Sequence, residues 1–166
     1  MSAADGSGTR DPVRTVRFER CDPEVVPASQ LLAAMRAELN DAYGTAGRLD
    51  NPPLLPAELR PPGGAYLVGY EGLEAVAGGG VRRLADGVAE IKRMYVRPTA
   101  RSRGVAAALL AALEREAAAL GYTVARLDTG PKQVHAQRLY RRTGYAEVPA
   151  YNDNPFACFW GEKRLA

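Results

Sequence analysis

The sequence predicts an α/β (α+β) fold: a mixed, mostly antiparallel sheet of about seven strands with helices on both faces. Three observations carry that reading. Runs rich in β-branched and aromatic residues, separated by "EG" at 71–72 and "DG" at 86–87, form a three-stranded meander. After the meander the pattern changes to helix, strand, helix, strand, strand. The length, 166 residues, suits one domain with a single core.

Residues 13–18 alternate roughly between apolar and polar side chains and form an opening strand. Pro27 precedes an amphipathic helix with Leu31, Leu32, Met35 and Leu39 on one face. Residues 44–64 carry Gly44, Gly47, "NPP", Pro56 and "PPGG", and predict a long loop with at most one helical turn at 57–59. Loops of that length are often functional. "AYLVGYEGLEAVAGGGVRRL" is a hairpin, in which the glycines at 78–80 mark a weak strand, a bulge or a close backbone approach. "VAEIKRMYVRP" is a third long strand. Val105, Leu109, Leu113, Ala117 and Leu120 recur at helical spacing, and Gly121 stops that helix. "TVARLD" is a strand; Gly130-Pro131 opens another helix with Pro at its first position, and Gly144 ends it. "YAEVP" and "FACFWGEKRL" are the last strands, around the loop "AYNDNP". Residues 1–12 read as a disordered leader, which leaves 13–166 as a single domain.

Composition narrows the function classes. No apolar run is long enough to span a membrane, and the first residues lack the apolar core of a secretory signal. Cys21 and Cys158 fit no metal spacing and read as free thiols of a cytoplasmic protein, so no metal is expected. The net charge is +3 without a basic run, which argues against a nucleic-acid partner. A mild basic excess suits a polyphosphate ligand.

Chemistry concentrates in "VRPTARSRGVAAALLAALE", residues 96–114. A strand ends at a proline, Arg101 and Arg103 flank Ser102 before Gly104, and an Ala/Leu helix begins. Free N–H groups and the dipole at a helix start favour an anion. Gly104 permits close backbone approach, and the arginines can add charge-assisted hydrogen bonds to phosphate. The plainer reading is a surface turn with solvated arginines. Neither Gly-x-Gly-x-x-Gly nor Gly-Lys-Ser/Thr is present in this segment, so dinucleotide and P-loop ligands fit poorly.

Arg101-x-x-Gly104-x-Ala106 resembles the Gln/Arg-x-x-Gly-x-Gly/Ala signature of the GNAT superfamily, the CoA-dependent N-acetyltransferases. About a helix and a strand later, "QVHAQRLYRRTGYAEV" is similar to that family's second signature, Asn-x-x-Ala-x-x-Leu-Tyr-x-x-x-Gly-Phe. Gln133 stands where Asn is common, and Tyr145 replaces the usual Phe. The resemblance implies acetyl-CoA as cosubstrate. Arg101, Ser102, Arg103, Gly104, Val105 and Ala106 would hold its pyrophosphate. The backbone of Met94, Tyr95 and Val96 would pair with the pantetheine arm and supply donors to the thioester carbonyl. Gln133 would lie at the cofactor.

Two side chains carry the expected acid–base chemistry. Tyr140 occupies the place of the family's general acid. It also shares an apolar face with Ala136, Leu139 and Thr143, so the spacing alone favours a core tyrosine, and the chemistry argues back. A phenol suits the acid role because thioester cleavage expels a thiolate whose thiol has a pKa of about 8.5. Glu90, on the strand eleven positions before Arg101, resembles the base of the histone acetyltransferase branch. Its plainer reading is a solvent-side glutamate paired with Lys92 or Arg82. His135, the single histidine, lies off the Ala136/Leu139/Tyr140 face and reads as a surface or rim residue.

The expected activity is transfer of acetyl to a primary amine by direct attack in a ternary complex. The alternative from another class is an acyl-CoA-binding sensor or interaction module without turnover. Glu90 and Tyr140 together favour the enzyme, since a binder needs neither. The acceptor pocket of the family maps to residues 43–60 and 150–155, which contain Tyr43, Asp50, Glu58, Tyr151, Asn152 and Asp153. These leave a small-molecule amine and a protein amine both open as acceptor. A homodimer is common in the family.

Overall fold

A computed structural model describes residues 15–44 and 53–166. The expected leader, positions 13–14 and loop positions 45–52, including Asp50, lie outside the described residues. The elements are β1 (Arg17–Arg20), α1 (Ala28–Tyr43), β2 (Ala65–Glu71), β3 (Glu74–Ala85), β4 (Val88–Val96), α2 (Val105–Ala119), β5 (Val124–Thr129), α3 (Val134–Arg142), β6 (Ala146–Glu147) and β7 (Phe159–Arg164). Single 3₁₀ turns stand at Pro56–Leu59 and Pro98–Ala100.

The sheet has seven strands in the order β1-β2-β3-β4-β5-β7-β6. Every pairing is antiparallel except β4 with β5. The predicted mixed, mostly antiparallel sheet is therefore correct. Alternation along β2 divides the core between two faces. Tyr66 and Val68 pack with Ala28 and Leu31 of α1 and with Leu59. Leu67, between them, packs with Leu109, Leu110 and Leu113 of α2 and with Leu139 and Tyr140 of α3.

The glycines at 78–80 are sites of close approach. A Cβ on Gly79 would stand 2.7 Å from Leu113 Cδ1, and one on Gly80 would stand 2.6 Å from Leu59 Cδ2, so α2 on one face and the 56–59 turn on the other press on β3 here.

Four boundaries differ from the sequence reading, each because of a partner that a linear pattern does not display. β1 begins at Arg17, because Arg17 pairs with Tyr70 and β2 ends one residue later. The first hairpin turns at Gly72-Leu73, with Glu71 opposite Glu74. α3 starts at Val134 and not at Pro131. The Gln133 side-chain oxygen accepts from the Thr129 hydroxyl at 2.8 Å and the Gly130 N–H at 3.2 Å, and so holds this stretch in a turn. β7 starts at Phe159, because Asn152 and Asn154 accept hydrogen bonds from the backbone two residues on, at Asn154 (3.2 Å) and Phe156 (3.0 Å).

Candidate active site

The central strands form a fork. β4 pairs with β5 only at Val88, Ala89 and Glu90, opposite Val124, Ala125 and Arg126. Beyond Glu90 the strands separate, while β4 stays paired to β3 as far as Val96. A bulge assists the divergence. Tyr95 pairs with Gly78 and Lys92 with Gly80, so Arg93 and Met94 both oppose Gly79. Arg93 takes a φ of +60°, uncommon for a residue with a side chain.

The fork leads to the start of α2. No side chain caps this helix, and its N-cap, Gly104, has a φ of +78° with nothing within 4 Å of a Cβ built there. Ser102 is also left-handed, at +62°. The result is an exposed turn before the uncapped start of a fifteen-residue helix, a geometry suited to an anion. The arginines are engaged. Arg101 donates to Val96 O and Glu38 Oε2, both at 2.8 Å, and stacks over the Tyr95 ring. Arg103 pairs with the buried Glu71 carboxylate at 2.9 Å. Val105 is buried and Ala106 partly so, which leaves the main chain, the exposed Ser102 and the partly exposed arginines as what this turn offers a ligand.

A cavity of about 100 Å³ occupies the fork, large enough for several waters and so more than a packing defect. Met94, Tyr140 and Gln133 line it. Tyr140 is almost fully buried and donates a long hydrogen bond to Met94 Sδ at 3.7 Å. Its ring stacks on Phe159 with centroids 6.3 Å apart and tilts against Tyr145. Its ring is core, as the plainer reading expects, and the residue also lines the cavity. Burial, and then the Asp128 charge, raise its phenol well above the ordinary range.

Glu90 does not line the cavity. It is completely buried behind it, not solvent-facing. Its Oε2 accepts from Arg82 at 2.7 Å; its Oε1 accepts from the Tyr151 hydroxyl at 3.2 Å and faces Lys92 Nζ at 3.5 Å. Arg82 also reaches Glu58, at 2.9 Å. The ion partners are those of its plainer reading, and losing the carboxylate would leave both Arg82 and Lys92 short of a buried counter-charge.

The carboxylate at the cavity is Asp128, which the sequence reading passed over. Asp128 lines the cavity at the end of β5, with Lys92 at 3.7 Å, the Asn152 amide donating at 2.6 Å and the Asn154 amide at 3.4 Å. Trp160 Nε1 donates to Asn152 at 2.9 Å and steadies that loop. One signal could have found it. Asp128 is the penultimate residue of a strand that follows a crossover helix, and open sheets bind ligands beyond the carboxyl ends of parallel strands. Asp153 and His135 are exposed, whereas Tyr43 lines the cavity. Among the described residues no group of three or more His, Cys, Asp or Glu could hold a metal ion, and no helix is long and apolar enough to cross a membrane.

Comparison with known proteins agrees with this architecture. The family model described as Acetyltransferase (GNAT) family matches residues 32–145, and the chain belongs to that family. A protein of Azospirillum brasilense named IAA acetyltransferase is 38% identical over 76 residues, 44% of this chain; the match spans half the length of that relative. A structure from Klebsiella pneumoniae, described as an acyl-CoA N-acyltransferase, aligns over 92% of this chain and 99% of its own, with 28% identity and a TM-score of 0.73. A GNAT family acetyltransferase of Elizabethkingia anophelis, solved with acetyl-CoA bound, shares the fold at 16% identity, a TM-score of 0.63 and coverage of 90% and 98%.

Proposed function

We propose that this chain transfers acetyl from acetyl-CoA to the nitrogen of a primary amine, by direct attack in a ternary complex. The observation that carries the reading is the cavity in the β4/β5 fork, lined by both a carboxylate, Asp128, and a protonated phenol, Tyr140. A module that only binds acyl-CoA has no use for that pair. The residues present fit the cosubstrate. The turn at 101–106 offers main-chain N–H groups at an open helix start, with Gly104 free of obstruction for a pyrophosphate. The edge of Met94, Tyr95 and Val96 that faces away from β3 is unpaired by β5 and suits the pantetheine arm as a further strand.

The chemistry balances as follows. The amine nitrogen bonds to the thioester carbonyl carbon, the C–S bond breaks, the amine's proton passes to Asp128, and the departing sulfur receives a hydrogen bond or proton from Tyr140. These two steps help each other. The Asp128 charge is one cause of the raised phenol. Once Asp128 takes the proton, that cause disappears and Tyr140 becomes the stronger acid when the sulfur needs it. Glu90 acts one layer back, holding Lys92 and Tyr151 around Asp128. The test is thiol release from acetyl-CoA across a panel of primary amines. Acetyl-CoA binding without transfer to any of them would leave the binding-module reading in its place.

A further inference from the structure

Asp128 and Trp160 stand opposite each other in the β5–β7 pairing, and directly opposed residues of antiparallel strands share a face of the sheet. The two are joined through Asn152, from the loop before β7. Trp160 Nε1 donates to Asn152 Oδ1 at 2.9 Å, and Asn152 Nδ2 donates to Asp128 Oδ2 at 2.6 Å.

The direction of this chain is set by its chemistry. A side-chain amide can present either its oxygen or its NH₂ group to a neighbour, but an indole N–H only donates. The Asn154 backbone N–H donates to the same Asn152 oxygen, at 3.2 Å. Two donors therefore hold that oxygen on one side, and the NH₂ group is left for the carboxylate. A reversed amide would set its oxygen against Asp128 and its NH₂ group against the indole, and both bonds would be lost.

The Asp128 side chain is only 7% exposed, so the engagement of its two oxygens decides what it can do. Oδ2 accepts from Asn152 and, at 3.4 Å, from the Asn154 amide. Oδ1 meets Lys92 Nζ at 3.7 Å, beyond hydrogen-bond length, and Lys92 is shared with Glu90 at 3.5 Å. One oxygen is filled by amides, and the other can take a proton.

We infer that Asn152, oriented by Trp160, is a positioning residue for the acetyl transfer: it fixes Asp128 so that Oδ1 is the oxygen that receives the amine's proton. This deepens the reading of Asp128 as the base and rests on it. The loop expected to shape the acceptor pocket thereby also orients the group that deprotonates the acceptor.

The test compares single-turnover rates in a double-mutant cycle. Asn152→Leu keeps much of the side-chain volume and removes the amide. Its rate should fall by about ten- to a hundredfold, the scale of one charge-assisted hydrogen bond, with the acceptor KM nearly unchanged. Trp160→Phe keeps Asn152 but lets its amide turn, and should cost about two- to tenfold. In an Asp128→Asn background neither change should lower the rate further, because the carboxylate they orient is gone. A residue that only supports the fold would lower the rate by the same factor in both backgrounds. That outcome overturns the inference, as does an unchanged rate in Asn152→Leu. If Asn152→Leu does not fold, the Trp160→Phe cycle decides by the same criterion. A full rate in Asp128→Asn alone would sink Asp128 as the base, and this inference with it. The chain has a single tryptophan, so its indole N–H gives one NMR signal that can be followed without turnover. If no amine is acetylated, the transferase reading falls and hydrogen exchange of that signal judges the tie. Faster exchange in Asn152→Leu and in Asp128→Ala supports it, and unchanged exchange in either overturns it.

Discussion

Asp128, Glu90 and Tyr140 lie close together, but their surroundings give them different work. Asp128→Asn keeps an oxygen to accept from Asn152 but removes the proton acceptor together with the charge that faces Lys92 at 3.7 Å. Turnover should fall by about 10²–10⁴-fold, while melting temperature falls less than in Glu90→Gln because Lys92 keeps Glu90 as a partner. The loss should shrink for acceptors whose amine is already neutral at the assay pH, a dependence that a purely structural aspartate would not produce. Glu90→Gln should show the opposite balance. Arg82 and Lys92 lose a fully buried counter-charge, so stability should drop by on the order of 3 kcal/mol in chemical denaturation. At temperatures where this variant stays folded, its rate should fall less than that of Asp128→Asn. Equal rate losses in the two would place the base at Glu90. Tyr140→Phe removes one weak bond to Met94 and keeps the ring packing. Melting temperature and acetyl-CoA affinity should therefore hold while single-turnover rates fall. An acyl donor with a more acidic thiol should recover part of that loss.

Among the elements, the start of α2 joins local conformation to binding most directly. Gly104→Ala places a Cβ in open space but at a left-handed φ, which costs roughly 1–2 kcal/mol. If the main chain carries the pyrophosphate, acetyl-CoA affinity by calorimetry should fall well beyond that stability effect. Arg103→Ala tests a different role. Its partner Glu71 is buried while Arg103 itself is 43% exposed, so the loss of their ion pair should cost about 1 kcal/mol of stability once solvent screening is counted. A calorimetric affinity unchanged in that variant would make Arg103 an anchor of the turn rather than a phosphate ligand. The same elements mark what could be read from the sequence. The meander, α2 and the Arg101–Ala106 turn were legible because periodicity and glycine placement are local properties. The starts of α3 and β7 were not, since Gln133, Asn152 and Asn154 bind backbone in competition with helix and strand. Asp128 and Arg93 look ordinary within "RLD" and "KRM"; a fork and a bulge, both made by pairing with other strands, bring them to the cavity.

At the scale of the whole molecule, four buried or half-buried tyrosines respond to pH in the same sense. Tyr66, Tyr140, Tyr145 and Tyr151 all have phenols raised from 10.0, with burial the largest cause in each. A raised folded-state value means that the unfolded chain loses these protons first. Their contribution is therefore complete below pH 10 and is lost as pH rises above it. Denaturant midpoints should hold up to about pH 9 and fall steeply beyond pH 10, by more than in Tyr66→Phe.

The narrow junction between β4 and β5 also bears on how the chain folds. The β1-β2-β3-β4 group and the β5-β7-β6 group are each antiparallel and paired internally, and only three residue pairs across the junction join them in the sheet. Those contacts close a loop of 36 residues and should form late, after both halves have acquired their own hydrogen bonds. Hydrogen exchange should accordingly resolve two cooperative units in the free protein. A ligand lying along the gap would touch both, and its binding energy would be withheld until they dock. The two units should then exchange as one, so the cleft that admits the substrate is also where the substrate would complete the fold.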